Sequence, residues 1–142
     1  MRIALASDHG GLEYKEAINK HLVELGHQVV DCGTNSKDSC HYPIFAKKAA
    51  DMLINKQVDR IILVCTTGEG IMMCVNRYKG IRCGVGYNDD VVELMRRHND
   101  ANGISFGQKF MILSDVIRRV DIFLNTVFEG GRHSTRVQMI DQ

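Results

Sequence analysis

A doubly wound α/β domain with a five-stranded parallel sheet is the architecture this sequence predicts, and three observations carry that reading. Segments of strand and helix periodicity alternate about five times along the chain, the pattern of a parallel sheet joined by crossover helices. The run Ile61-Ile62-Leu63-Val64 is continuously apolar and mostly β-branched, as a strand covered on both faces requires. Polar residues follow the predicted strand ends: Asp8 and His9 after the first, Cys65 to Gly70 after the central one, Asn88 after the fourth. In an open parallel sheet those ends frame the ligand crevice, so the site is expected there.

The first strand is Arg2 to Ala6, followed by the loop Ser7-Asp8-His9-Gly10-Gly11. A helix comes next, with Ala17, Ile18, Leu22 and Leu25 at helical spacing and Gly26 as its C′ residue. His27 to Asp31 reads as the second strand, and Cys32 to Tyr42 as a polar loop punctuated by Gly33, Asn35 and Ser36. Pro43 suits the first turn of a helix to about Asn55, because its fixed φ is already helical; Phe45, Ala49, Met52 and Leu53 point inward. After the central strand come a short helix to about Tyr78 and a strand from Ile81 to Gly86. Asn88-Asp89-Asp90 caps a helix carrying Val91, Val92, Leu94 and Met95, and His98-Asn99-Asp100 ends it. Ala101 to Phe106 is the fifth strand, although Gly103 weakens it. Ser114 is expected to cap a helix Asp115 to Asn125, with Val116, Ile117, Val120, Phe123 and Leu124 toward the core. Arg132 to Ile140 forms a last short helix after Gly130-Gly131.

With 142 residues the chain fits a single domain, 1–142, that buries roughly two-thirds of its unfolded surface. No apolar run approaches the ~18 residues of a membrane span. Formal net charge is +1 without a dense Lys/Arg block, which gives no footprint for nucleic acid; a small-molecule partner is expected. The first apolar segment is too short for a secretory signal, so a cytoplasmic location is expected. Five cysteines, Cys32, Cys40, Cys65, Cys74 and Cys83, lack CxxC spacing, so neither a disulfide frame nor a zinc site suggests itself. Cys74 and Cys83 lie in apolar surroundings and read as packing residues.

Cys65 differs in ending the central strand beside the turn Thr66-Thr67-Gly68-Glu69-Gly70. That turn is neither a Walker loop nor a GxGxxG fingerprint. A tight Gly turn opening a helix still offers unpaired N–H donors to an oxyanion or phosphate, and a thiol beside a helix N-terminus becomes a better nucleophile or proton acceptor. A purely structural turn and a packed thiol are the alternatives. Asp8-His9 reads equally as a helix cap with a solvated imidazole, and His98 as a charge partner for a helix C-terminus. His21, His27 and His41 have no such placement and are expected at the surface. Arg132 and Arg136, four apart, project from one helix face, either as a two-pronged phosphate grip or as a solvated basic face.

Ser7-Asp8-His9-Gly10-Gly11, Asp31-Cys32-Gly33-Thr34, Tyr42-Pro43, Cys65 to Gly70, Asn76, His98 to Asn102 and Glu129-Gly130-Gly131-Arg132-His133 with Arg136 occur in order over essentially the whole chain. Together they resemble the type B ribose-5-phosphate isomerases, whose superfamily includes the galactose-6-phosphate isomerase subunits. The resemblance implies a Rossmann-like three-layer sandwich and a homodimer, sometimes paired into tetramers. It also implies an aldose–ketose isomerisation through an enediolate, with no metal or other cofactor. The site would lie between subunits, the C-terminal helix of one chain reaching its partner so that its arginines complete the other crevice.

By position, the resemblance makes Cys65 the base that moves a proton between C1 and C2 of the open-chain sugar, and has Thr67 with the amides of Thr66, Gly68, Glu69 and Gly70 stabilise the enediolate oxygen. It makes His98 the general acid/base that opens the furanose ring, a role suited to a side chain whose ordinary pKa lies near neutrality. Asp8 would handle hydroxyl protons, Asn99 would hold hydroxyls, and Tyr42 would line the crevice. His9, Arg132 and Arg136 would bind the phosphate.

Four positions depart from the family pattern. Thr66 and Glu69 replace small or apolar residues, Met73 replaces a common Ser, and Lys109 replaces an Arg, keeping the charge but losing the bidentate fork. Glu69 would repel a phosphate, so it is expected to point away from it or to meet hydroxyls. These changes bear on substrate identity more than on reaction type. A six-carbon substrate such as allose 6-phosphate or galactose 6-phosphate is the nearest alternative, and a non-catalytic sugar-phosphate sensor is a further one. His41 to Phe45 is similar to the galactose-6-phosphate isomerase subunits, but this chain holds the cysteine, the histidine and both arginines itself, which favours a homodimer. A thiol-dependent phosphatase is disfavoured because Ile71 stands where its CxxxxxR loop needs Arg.

Overall fold

The computed structural model describes all residues, Met1–Gln142. Five strands are present: β1 (Arg2–Ser7), β2 (Gln28–Asp31), β3 (Arg60–Cys65), β4 (Cys83–Val85) and β5 (Gly103–Gly107). Six α-helices accompany them: α1 (Leu12–Glu24), α2 (Tyr42–Ile54), α3 (Glu69–Val75), α4 (Asp89–Arg97), α5 (Leu113–Asn125) and α6 (Arg132–Met139). The strands form one sheet in the order β2-β1-β3-β5-β4, every neighbouring pair parallel.

Strand periodicity divides the core between the two sheet faces. Ile3 and Leu5 of β1, Ile62 and Val64 of β3, and Ile104 and Phe106 of β5 pack with Ile18, Leu22, Val92, Val116, Val120 and Phe123 of α1, α4 and α5. The alternate residues Ala4, Ala6, Ile61, Leu63 and Cys65 pack with Ala46, Ala49 and Ala50 of α2 and Ile71 and Val75 of α3. Alanines on both sides of the second layer bring α2 close to β1. Continuous burial of Ile61 to Cys65 is therefore the signature of a strand with helices on both faces.

Most element boundaries fall within two residues of those expected, and three differences have local causes. Gly26 does end α1 at φ +86°, with His27 N–H donating to Leu22 O at 3.1 Å, the Schellman arrangement. Leu25, expected inward, is exposed, because as the C-cap residue at ψ −1° it has left the helical repeat. Ser114 does not cap α5; the helix starts one residue earlier, Ile112 is the extended N-cap residue, and no side chain closes the turn. Strand β4 shrinks to three residues at the sheet edge. Asn88, by contrast, caps α4 as expected, its side chain accepting from Asp90 N–H and Val91 N–H.

Lys15 and Asp31 form a pair that neither helix nor strand periodicity announces. The Lys15 side chain is 1% exposed and its Nζ lies 2.6 Å from both Asp31 carboxylate oxygens, which ties α1 to the end of β2.

Candidate functional site

The carboxyl edge of the sheet gathers one group of expected residues. Cys65 closes β3 and is 5% exposed, and the Gly68 N–H donates to its Sγ at 3.0 Å. That contact exists because Gly68 turns back at φ +84°, the left-handed region in which glycine is at ease, before α3 begins. A Cβ on Gly68 would also sit 3.0 Å from the Phe106 carbonyl carbon. Behind the turn, Ser105 Oγ donates to Gly68 O at 2.8 Å from within β5. Gly107 lies so close that a Cβ there would be 2.4 Å from Thr67 O. In front, Thr66, Thr67 and Glu69 are exposed, and Thr67 Oγ1 accepts from the Glu69 N–H at 3.1 Å. The turn is thus held from behind by β5 and presents its chemistry outward.

Asp8, His9 and Tyr42 border this turn. Asp8 is 7% exposed; its Oδ1 accepts from the Gly10 N–H at 3.0 Å, which leaves Oδ2 uncommitted. Gly10 packs so tightly that a Cβ would meet Thr66 Oγ1 at 2.3 Å. His9 Nδ1 accepts from the Cys40 N–H at 3.2 Å, so a neutral ring carries its proton on Nε2, a donor for an anion. The Tyr42 phenol covers Gly70, where a Cβ would come within 2.8 Å of Cζ. Lys109 is held by its main chain, its N–H donating to Thr66 O at 3.2 Å, while its ammonium leans over the Phe110 ring.

His98, Asn99, Arg132 and Arg136 lie elsewhere. Helix α4 leaves the carboxyl edge at its Asn88 cap and runs back antiparallel to the strands, so its C-cap residue His98 arrives at the amino edge. There Asn102 O accepts from Ile61 N–H at 3.0 Å, at the start of β3, and Asn102 Oδ1 accepts from Arg82 N–H at 2.8 Å, just ahead of β4. Helix α6 is fastened to the same edge, Asp141 accepting from the Gly80 N–H at 2.7 Å. A cavity of about 360 Å³ opens between them, lined by His98, Asn99, His133, Arg136, Val137 and Ile140. Arg132 and Arg136 are both exposed. Strand β3 spans six residues at ~3.3 Å each, so about 20 Å of sheet separates Cys65 from the His98 end within one chain.

Two residues at the amino edge had been given no role. His133 is buried, and its ring stacks on His98 with centroids 4.2 Å apart and planes 11° from parallel. Glu129 binds Arg97 Nε through Oε1 at 2.7 Å and turns Oε2 toward His133 Nε2 at 3.6 Å and His98 Nε2 at 3.9 Å. Burial, with the His98 ring close by, pushes the His133 imidazole below its ordinary pKa, while the Arg97 guanidinium holds the Glu129 carboxyl below its own. The spacing of Glu129 and His133, four apart with a glycine pair between, was the available signal. Donor atoms of His98, Glu129 and His133 lie within 4.8 Å of one another, yet the set suits a metal poorly. A ring nitrogen's lone pair lies in the ring plane, and two nearly parallel rings do not aim at one ion.

Among the other cysteines, burial raises the thiols of Cys32, Cys74 and Cys83, which fits packing. His21, expected at the surface, is half-buried and pairs with Asp121 at 2.7 Å. No helix is long and apolar enough to cross a membrane.

A parallel α/β sheet with a thiol and main-chain donors at its carboxyl edge defines the class to which the comparisons point. The profile of the Ribose/Galactose Isomerase family matches residues 3–140, and this chain belongs to that family. It is 40% identical over 139 residues to ribose-5-phosphate isomerase B of Escherichia coli, covering 98% of this chain and 93% of the relative. Among solved structures it resembles ribose-5-phosphate isomerase B of Clostridium thermocellum, with TM-score 0.98 and 39% identity over 99% of this chain and 95% of that one. It also resembles the Mycoplasma genitalium enzyme solved with bound ribulose 5-phosphate, with TM-score 0.94 and 39% identity over 98% and 93% of the two chains.

Proposed function

We propose that this chain is an aldose–ketose isomerase interconverting ribose 5-phosphate and ribulose 5-phosphate, and that it works as a homodimer with shared sites. The observation that carries the reading is the Gly68 N–H directed at Cys65 Sγ, which sets a proton acceptor beside a rigid set of main-chain donors. Removing a proton from a carbon next to a carbonyl requires both, because charge leaves the carbon and arrives on the neighbouring oxygen.

In this mechanism the Cys65 thiolate takes the C2 proton of the open-chain aldose and returns it to C1. Thr67 and the amides of Thr66 to Gly70 hold the enediolate oxygen, and Asp8 Oδ2 relays the hydroxyl proton. The half-site at the amino edge supplies the remainder. His98 opens the furanose, taking the O1 proton and giving one to the ring oxygen; Asn99 holds hydroxyls, and Arg132 and Arg136 grip the phosphate together with His9. A sugar phosphate is far shorter than the sheet that separates the two groups, so the carboxyl edge of one copy must meet the amino edge of another. Five free cysteines fit a reducing cytoplasm as the place of action.

The test is a substrate panel of ribose 5-phosphate, allose 6-phosphate and galactose 6-phosphate with ketose formation as readout. Turnover of ribose 5-phosphate above the others is expected. Preference for a six-carbon sugar would reassign the substrate, and binding without turnover or proton exchange would make the protein a sensor.

A further inference from the structure

Given the isomerase reading above, we propose that His133 and Glu129 are positioning residues for ring opening, holding the His98 imidazole at the mouth of its cavity and limiting the two stacked rings to one shared proton. His133 fills the buried side of the stack and His98 the half-exposed side; both rings line the cavity, and His98 is the more open of the two to the space that a sugar would occupy. His133 Nε2 is buried and has no hydrogen-bond partner, and the carboxylate oxygen turned toward it is Glu129 Oε2 at 3.6 Å. Glu129 divides its carboxylate between two duties: Oε1 anchors it to Arg97, and Oε2 faces both rings at nearly equal distances.

Two parallel imidazolium ions at 4.2 Å would repel across a partly dry contact, whereas one imidazolium beside a neutral ring and a carboxylate is compatible with every neighbour. Those neighbours come from each element packed around the stack. Helix α4 supplies Arg97, itself paired with Glu93; the segment before α6 supplies Glu129; and α6 supplies Arg132 and Arg136. Asp100 is committed to Arg96 and Arg82 and does not compete. With the arginines nearby, Glu129 is the carboxylate that offsets the shared proton. Burial disfavours the charged form of His133.

Chemistry supplies a test that separates this role from a merely structural one. Ribose 5-phosphate is mostly a closed ring, whereas ribulose 5-phosphate has its 5-hydroxyl esterified and cannot close a furanose. Exchange of the ketose C1 proton with solvent therefore uses the thiol half-site without ring opening. His133→Ala is expected to slow aldose turnover about tenfold or more while ketose C1 exchange changes less than about threefold. His133→Phe, which restores a flat ring, should recover part of the loss. Glu129→Gln removes the carboxylate that faces both rings, so the acid limb of aldose turnover should move to lower pH. Long-range proton–nitrogen spectra of the intact protein, followed across a pH titration, should show that the two rings are never protonated together.

Parallel losses of turnover and exchange in His133→Ala without rescue by Phe would overturn the proposal. So would an unmoved acid limb in Glu129→Gln, or two rings that titrate together. A wild-type protein that neither turns over nor exchanges would instead refute the isomerase reading, and the spectra would still decide whether the stack holds one proton.

Discussion

The Gly68 N–H donates to Cys65 Sγ at 3.0 Å, so the residue that ends β3 and the residue that precedes α3 are joined across the thiol itself. A sulfur buried only for packing needs no amide directed at it. Cys65→Ser and Cys65→Ala should therefore remove solvent-proton exchange at the substrate carbon, lowering turnover about 10²–10⁴-fold, while sugar-phosphate binding persists. Calorimetric binding alongside exchange measured by proton NMR would check this. Residual exchange near the wild-type rate in Cys65→Ala would assign the base elsewhere.

Division of the expected residues between opposite sheet edges predicts complementation. Cys65→Ala and His98→Ala chains, each inactive alone, should regain activity when unfolded and refolded together. Random pairing makes half the dimers mixed, each with one intact and one doubly broken site, so about a quarter of wild-type activity is expected. A mixture that stays inactive would mean that no site is assembled from two chains.

Gly107→Ala tests the support behind the turn. Its Cβ would lie 2.4 Å from Thr67 O and 2.6 Å from Thr67 C, both backbone atoms that must shift. Overpacking of this kind costs about 1–3 kcal/mol, readable by urea unfolding. Turnover should fall further, about 10²-fold, because displaced amides no longer meet the oxyanion. Loss of stability with unchanged turnover would show that the amides of this turn take no part.

Lys15 and Asp31 should respond unequally to neutralisation. Asp31→Asn strands an ammonium whose side chain is 1% exposed and should cost about 3–5 kcal/mol. Lys15→Met leaves a carboxylate that is 28% exposed and still accepts from the Gly33 N–H, so its cost should be smaller. Thermal and urea unfolding of the two variants would rank them, and the reverse order would contradict the argument.

Asp89 links α4 to α5 through Arg118 at 2.8 Å and Arg119 at 2.9 Å, and both guanidiniums hold its carboxyl below the usual range. A folded-state pKa below the unfolded one means that the stabilisation is complete above the ordinary carboxylate pKa of about 4 and disappears as pH falls through the lowered value. Asp89→Asn should lower the melting temperature at neutral pH and flatten its fall on acidification. Equal shifts at all pH values would argue against the linkage.

The crevice with Cys65 was legible in the sequence because an apolar run that stops at a glycine turn fixes both the strand and its end. Sheet faces were legible for the same reason, and Ile3, Leu5, Ile62 and Val64 share one face as alternation demands. The position of His98 was legible in principle: a residue that ends a crossover helix arrives at the amino edge, opposite a residue that ends a strand. Grouping it with Cys65 in a single crevice depended on likeness to a family rather than on chain geometry. His133 and Glu129 escaped because nothing in their types distinguishes a buried stacked imidazole from a solvated one, and only folding brings α6 against the end of α4. The Lys15–Asp31 pair escaped similarly, since helix periodicity places Lys15 among apolar neighbours without naming its partner.

Ser105 and Gly107 press on the turn from the rear while the side chains of Thr66 and Glu69 face away from them. The loop's curvature is consequently stored in a neighbouring strand rather than in the side chains of Thr66 and Glu69. Those two side chains can be exchanged without moving the amides behind them, so the outward surface of the turn can change while its donor geometry stays put.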